Sequence, residues 1–171
     1  MEATESKQRD YTIVSVQRAL RLLKLFDAER VELSLAELSR LSGVNKSTVM
    51  RTMTTLEDEN YVVYNHKSQT YRLGIELFRL GNVVSETMEL GSIARPYIEK
   101  AAETTGLIVH VGVLDRREVV IIEKHWPSQY RTSVSMVSRV GGIVPVHCTG
   151  VGKTLLAYRE ESEARRILSE A

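Results

Sequence analysis

The sequence predicts an α+β protein in two parts, and three observations carry that prediction. Residues 34–60, "SLAELSRLSGVNKSTVMRTMTTLEDEN", read as two short helices joined by a Gly-containing turn at Ser42-Gly43. Directly after them, "YVVYNHKSQTYRL" (61–73) alternates on both sides of a polar break, which is the pattern of a β-hairpin. Further on, "LIVHVGVL" (107–114) and "EVVIIE" (118–123) are β-branched runs separated by Asp115-Arg116-Arg117, an antiparallel pair by the same criteria. A helix-turn-helix followed at once by a hairpin is a winged helix. The chain therefore reads as an N-terminal winged helix-turn-helix, a linker helix, and a second domain of helices around an antiparallel sheet.

Composition bounds the alternatives. The 171 residues are 43% hydrophobic and 26% charged, with a net charge of +1, the balance of a globular chain. No apolar run approaches the roughly 18 residues a membrane span needs. The N-terminal "MEATESKQRD" lacks the basic-then-apolar order of a secretory signal, so residues 1–11 are expected to be a disordered tail and the protein cytoplasmic. Cys148 is the sole cysteine, and no Cys/His cluster has zinc-site spacing, so neither a metal nor another cofactor is expected. The informative charge is local. Arg40 to Thr54 holds three basic residues and no acidic one, and Glu57-Asp58-Glu59 follows as an acidic step.

In chain order, Ser15 is placed to cap a first helix with the stripe Val16, Ala19, Leu20, Leu23 and Phe26. Ser34 and Glu37 form a capping box that opens a second helix with Leu35, Leu38 and Leu41 inward. Gly43 suits the left-handed position that ends it. Asn45 caps a third helix, with Val49, Met53 and Leu56 at i, i+4 and i+7 facing inward. Ser47, Thr48, Arg51, Thr52 and Thr55 then face out. Small hydroxyl side chains let a backbone approach a DNA groove, and Arg reaches guanine or phosphate. The hairpin, the wing, carries His66, Lys67 and Gln69 at its tip and Arg72 on its return strand, positions suited to phosphates or the minor groove. The alternative is a winged helix used for protein–protein contact; steep loss of binding with salt separates DNA from it.

After Gly74, "IELFRLGNVVSETMEL" is apolar at Ile75, Phe78, Val83, Val84 and Met88, and residues 75–91 read as a linker helix that packs against a partner or on its own second domain. Ser92 is expected to cap the next helix, with Pro96 in its first turn and Gly106 at its end. "RTSVSMVS" (131–138) alternates as a third strand, and helices follow at "VGKTLLAYR" (151–159) and "ESEARRIL" (161–168). Gly152-Lys153-Thr154 ends like a phosphate-binding loop, but His147 stands where that motif needs its first glycine, and Pro145 interrupts the preceding strand. A nucleotide hydrolase is therefore rejected. Free N–H groups at a helix start still favour an anion, so Thr149, Gly150 and Gly152 are candidates to receive one. His110 faces either a pocket or the core. Trp126 and Tyr130 line a pocket mouth or cover the sheet, and His147 with Cys148 makes a poor metal site.

Five segments together resemble the IclR-type transcriptional regulators: "SVQRALRLLKLF", "LSLAELSRLSGVNKSTVMRTMTTLEDENYV", "TYRLGIELFRLG", "GLIVHVGVLDRREVVIIEK" and "RVGGIVPVHCTGVGKTLLA". The likeness spans residues 12 to 168. It implies a winged helix at 12–74 whose Lys46, Ser47, Thr48 and Arg51 read double-stranded operator DNA, with Arg18 near the DNA backbone. It implies a dimerisation helix at 75–91 in a homodimer or tetramer, and a GAF-like effector domain from 92 that answers to a small organic acid. Asn45 stands where the family commonly has Pro, and Asn caps as well. The resemblance also implies chains that continue past Ala171, so residues 92–171 are expected to be an incomplete, partial effector domain whose effector response is weakened or lost while DNA binding and pairing survive.

Overall fold

The computed structural model describes residues 11–130 and 138–169, in two compact units, Met1–Val83 and Val84–Ala171. The expected N-terminal tail, but for Tyr11, and the strand expected over 131–138, but for Ser138, lie outside the described residues.

The first unit runs α1 (Val14–Leu23), β1 (Glu32–Ser34), α2 (Leu35–Ser42), α3 (Lys46–Asp58), β2 (Val62–Asn65) and β3 (Thr70–Leu73), and α4 (Ile75–Thr87) begins in it. Its core is Leu22, Phe26, Leu33, Leu38, Val49, Met53, Val62 and Tyr71. The capping box forms: Ser34 Oγ accepts from the Glu37 N–H, and the Glu37 carboxylate accepts from the Ser34 N–H at 2.8 Å. That backbone N–H, and then the Ser34 hydroxyl donating to the same carboxylate at 2.7 Å, hold the Glu37 carboxyl below the usual carboxylate range. Gly43 closes α2 at φ 69°, a conformation that Cβ-bearing residues seldom adopt. In the sheet β3 lies between β1 and β2, both antiparallel to it.

Two expectations here are corrected. Helix α1 starts at Val14 with Ile13 as its uncapped N-terminus, so Ser15 is inside the helix and caps nothing. Leu22 is its buried residue, with Phe26 buried just beyond its end, whereas Val16 and Leu20 are more than half exposed. The helix carries apolar residues on two sides, so periodicity alone does not choose between them. Strand β1 escapes sequence reasoning because three residues carry no period; its pairing with Thr70–Arg72 makes it a strand.

The second unit contains α5 (Glu89–Thr105), β4 (Val109–Asp115), β5 (Glu118–His125), β6 (Ile143–Pro145), α6 (Gly150–Ala157) and α7 (Glu161–Ser169). The expected hairpin is β4–β5, with Arg116 at φ 57° in its turn, and β5 is central between β4 and β6. Val119, Ile121, Val146, Leu156 and Ile167 form the core. Pro145 ends an edge strand, where its missing N–H is tolerated, so the proline that argued against a strand marks that strand's end. Gly152 lies so close to the Val146 backbone that a Cβ would sit 2.1 Å from its carbonyl oxygen.

Helix α4 stops at Thr87 and α5 starts at Glu89, not at Ser92; the Ser92 hydroxyl donates back to the Glu89 carbonyl at 2.8 Å. Pro96 therefore lies in the helix interior, beyond the first turn. Gly106 ends α5 at φ 68°, as expected. No residue of α4 is buried, and Ile75 and Phe78 are about two-thirds exposed, at 65% and 64%. Among the described residues no helix is long and apolar enough to cross a membrane.

Candidate nucleic-acid interface

Helix α3 is held from below by Val49 and Met53, which have no exposure, and by half-buried Leu56. Its start is fixed by Asn45, whose Oδ1 accepts from the Thr48 N–H at 2.9 Å and the Ser47 hydroxyl at 2.8 Å. At about 100° per residue, the side opposite the buried stripe carries Ser47, Arg51, Thr54 and Asp58, and all four are exposed. One flank, with Thr48, Thr52 and Thr55, turns toward α1. There Arg18 joins Thr48, Arg51, Thr52 and Thr55 in lining a groove of about 500 Å³. The other flank, with Met50 and Glu57, turns toward the wing, where Glu57 accepts from the Tyr64 N–H at 3.2 Å.

This agrees with the outward placing of Ser47 and Arg51 and refines the rest. Thr48 and Thr52 are half-buried at the groove edge, and Lys46 is exposed at the helix start. Sequence reasoning missed Thr54 and Met50. Both were readable from the wheel that put Val49 inward. The threonines share a further feature. Thr52, Thr54 and Thr55 hydroxyls each donate to the carbonyl four residues back, at 2.9, 3.0 and 3.1 Å.

The wing is a hairpin whose tip is built on Asn65. Its Oδ1 accepts from the Lys67 N–H at 3.0 Å, and its carbonyl from the Gln69 N–H at 2.8 Å, with Gln69 at φ 57°. His66, Lys67 and Gln69 are exposed, and the His66 ring stands edge-on to Tyr64 at 5.0 Å. Arg72 is exposed on β3 between its register partners Val63 and Glu32. Glu32 is engaged elsewhere, accepting from Thr70 Oγ1 at 2.6 Å.

In the second unit the anion-site candidates do not gather. Thr149 does cap α6, but its Oγ1 accepts from the Gly152 N–H at 3.2 Å, so that donor is already occupied and Gly152 is buried. Only the exposed Gly150 end of the expected cradle is open. His110 instead meets Ser138, Nε2 to Oγ at 2.7 Å. Lys124, its register partner on β5, donates to the Ser138 carbonyl at 2.7 Å and stands 4.2 Å over the Trp126 ring. Burial, and then the Lys124 charge, push the His110 pKa down; burial lowers Lys124 as well. Lys124 was not anticipated from the sequence, although it stands opposite His110 across the hairpin. Among the described residues no three His, Cys, Asp or Glu side chains converge as a metal site.

Two family models match the chain. Residues 15–66 match the IclR helix-turn-helix domain, and residues 82–171 match the C-terminal domain of the bacterial transcriptional regulator IclR. The chain is 35% identical over 156 residues to the HTH-type transcriptional regulator XynR of Escherichia coli K12, covering 91% of this chain and 61% of that protein. It is 34% identical over 164 residues to KdgR of Dickeya chrysanthemi, covering 96% and 52%. The crystal structure of an IclR transcriptional regulator from Alicyclobacillus acidocaldarius superposes with a TM-score of 0.77 at 33% identity, covering 94% of this chain and 64% of that one. The chain thus spans between about half and two-thirds of the length of these relatives.

Proposed function

Because the chain belongs to the IclR family of DNA-binding transcriptional regulators, which are not enzymes, we propose that α3 and the wing grip a duplex operator and that the second unit couples this grip to a small organic acid. One observation carries the reading: the uncovered side of α3, with Ser47 and Arg51 at its capped start, lies beside a wing that presents Lys67 and His66. In this reading the N-terminal half of α3 enters the major groove, Arg51 reaching a base edge. The acidic residues Asp58 and Glu59 keep its C-terminal end away from phosphates. Arg18, Lys46, Lys67 and Arg72 meet the DNA backbone, which positions the protein without reading sequence.

A homodimer suits a palindromic operator, since two copies place two α3 helices on half-sites about one helical turn apart. The exposed apolar side chains of α4 support that pairing. For the effector, the Lys124 ammonium beside His110 and Trp126 favours a carboxylate on an apolar body. An effector acts only through unequal affinity for DNA-competent and incompetent forms.

The test is binding of the 171-residue chain to fluorescent duplexes across a salt series. A log–log slope of about −0.9 per neutralised phosphate is expected. Binding that ignores salt, or that a single strand matches equally well, would refute the assignment.

A further inference from the structure

The outward side of α3 has an unusual chemical balance for a surface that reads hydrogen-bonding edges. Its hydroxyl protons are already taken. The Thr54 hydroxyl donates to the Met50 carbonyl and the Ser47 hydroxyl to Asn45 Oδ1. Thr55, beside them, donates to the Arg51 carbonyl. What this side offers near its start is therefore one strong donor, the Arg51 guanidinium, with the Thr54 methyl group next to it and, on the adjoining wing flank, the Met50 side chain at 49% exposure.

In the major groove guanine presents two acceptors, and thymine a C5-methyl group. A guanidinium suits the first and an apolar surface the second. We infer that Thr54 and Met50 set the operator preference by contacting thymine C5-methyl groups next to a single guanine read by Arg51. Thr54 lies three residues from Arg51 and one turn along the same side, and Met50, one residue before Arg51, lies about 100° round the helix on the flank nearer the wing, so the thymines stand within a base pair or two of that guanine. The inference rests on the DNA-binding reading above and adds to it the composition of the half-site. The threonine rotamer is what makes the methyl available: while Oγ1 holds its bond to the carbonyl four residues back, the methyl is left for contact with a base.

The experiment uses the whole chain and duplexes that it selects from a randomised pool. Within the selected half-site each thymine is replaced, one at a time, by deoxyuridine, which removes the methyl and keeps the base pair. One or two positions beside the guanine are expected to lose about fourfold in affinity, the equivalent of roughly 0.8 kcal/mol for one buried methyl. Thr54→Ser should bind the thymine duplex about as weakly as the parent binds the deoxyuridine one, and should be indifferent to the replacement. Thr54→Val, which keeps the methyl and loses the hydroxyl, should retain the sensitivity. Tight, sequence-specific binding with no deoxyuridine effect at any position overturns this inference and leaves the DNA-binding reading intact. Failure to select any sequence overturns both.

Discussion

Gly74→Ala is the sharpest single test of how the winged helix is held together. Gly74 is buried where the wing ends and α4 begins. A Cβ there would lie 2.1 Å from the Asn60 carbonyl oxygen and 2.9 Å from the carbonyl carbons of Asn60 and Tyr61. All three are backbone atoms, so no side chain can swing aside. The Asn60 oxygen must withdraw by about 0.9 Å to reach even the 3.0 Å that real contacts respect. Asn60 already sits at φ 61°, with little room to turn further. Two bonds depend on the present fit: Gly74 N–H to the Tyr61 carbonyl at 2.8 Å, and Glu76 N–H to the Asn60 carbonyl at 3.4 Å. Overpacking costs about 1–3 kcal/mol, and losing the shorter bond adds about 1 kcal/mol. A total near 3 kcal/mol lowers the melting temperature of a unit this small by roughly 10–25 °C. Calorimetry of the whole chain reads this as a shift of the first unit's transition, and the displaced wing should weaken DNA binding as well. A variant melting within about 2 °C of the parent would show that the α3–wing junction is not packed as described.

Arg51→Ala should weaken the preferred duplex by about 1–3 kcal/mol and relax its sequence preference, whereas Lys67→Ala should weaken all duplexes alike and flatten the salt slope by about 0.9; anisotropy titrations on matched and scrambled duplexes separate the two. Ser34→Ala should cost about 1 kcal/mol through the lost cap. Because Glu37 is held below its ordinary pKa in the folded chain, its contribution is present above the unfolded value and fades as pH falls through the folded one, so the gap between Ser34→Ala and parent melting should narrow below about pH 4. His110 is depressed below its ordinary pKa by burial and by Lys124. The unfolded chain therefore binds the extra proton first, and stability falls as pH drops through about 6.5 toward the folded value. His110→Asn should remove that acid sensitivity from the second unit's melting transition, and an unchanged pH profile would argue that His110 is not held as described.

Where the sequence was readable, the signal was a side chain acting on its own neighbourhood. Ser34 with Glu37 and Asn45 with Thr48 are bonds over three residues, and each helix start fell where those residues put it. Gly43 and Gly106 ended helices for an equally local reason, the left-handed backbone they adopt. The misreadings came where the decisive partner was distant, or where residue type was taken for geometry. Ser15 and Ser92 are good caps by type. One lies inside α1, and the other bonds backward to Glu89. Strand β1 exists only because β3 arrives 36 and 38 residues later, at the Ser34↔Thr70 and Leu33↔Tyr71 pairs. Leu22 is the most buried residue of α1, and nothing in its neighbours distinguishes it from exposed Leu20 until α2 and α3 pack on one side.

The same contrast explains why the two candidate sites were unequally legible. A DNA-reading surface is one exposed side of one helix, and the inward residues Val49 and Met53 define it by exclusion. Counting turns from them is enough to find Arg51, and would have found Thr54. The proposed small-acid site would be assembled from elements far apart in the chain. His110 and Lys124 face each other because β4 pairs with β5 in one register, and Ser138, 28 residues from His110 in the chain, bonds to both. No spacing rule anticipates that meeting. The glycines of the loop before α6 attracted attention because they echo a phosphate-binding motif. Yet Gly152 is small for a steric reason: its hydrogen faces the Val146 backbone where a methyl group does not fit. A glycine conserving space and a glycine presenting an amide look alike in sequence, and only the packing on its far side tells them apart.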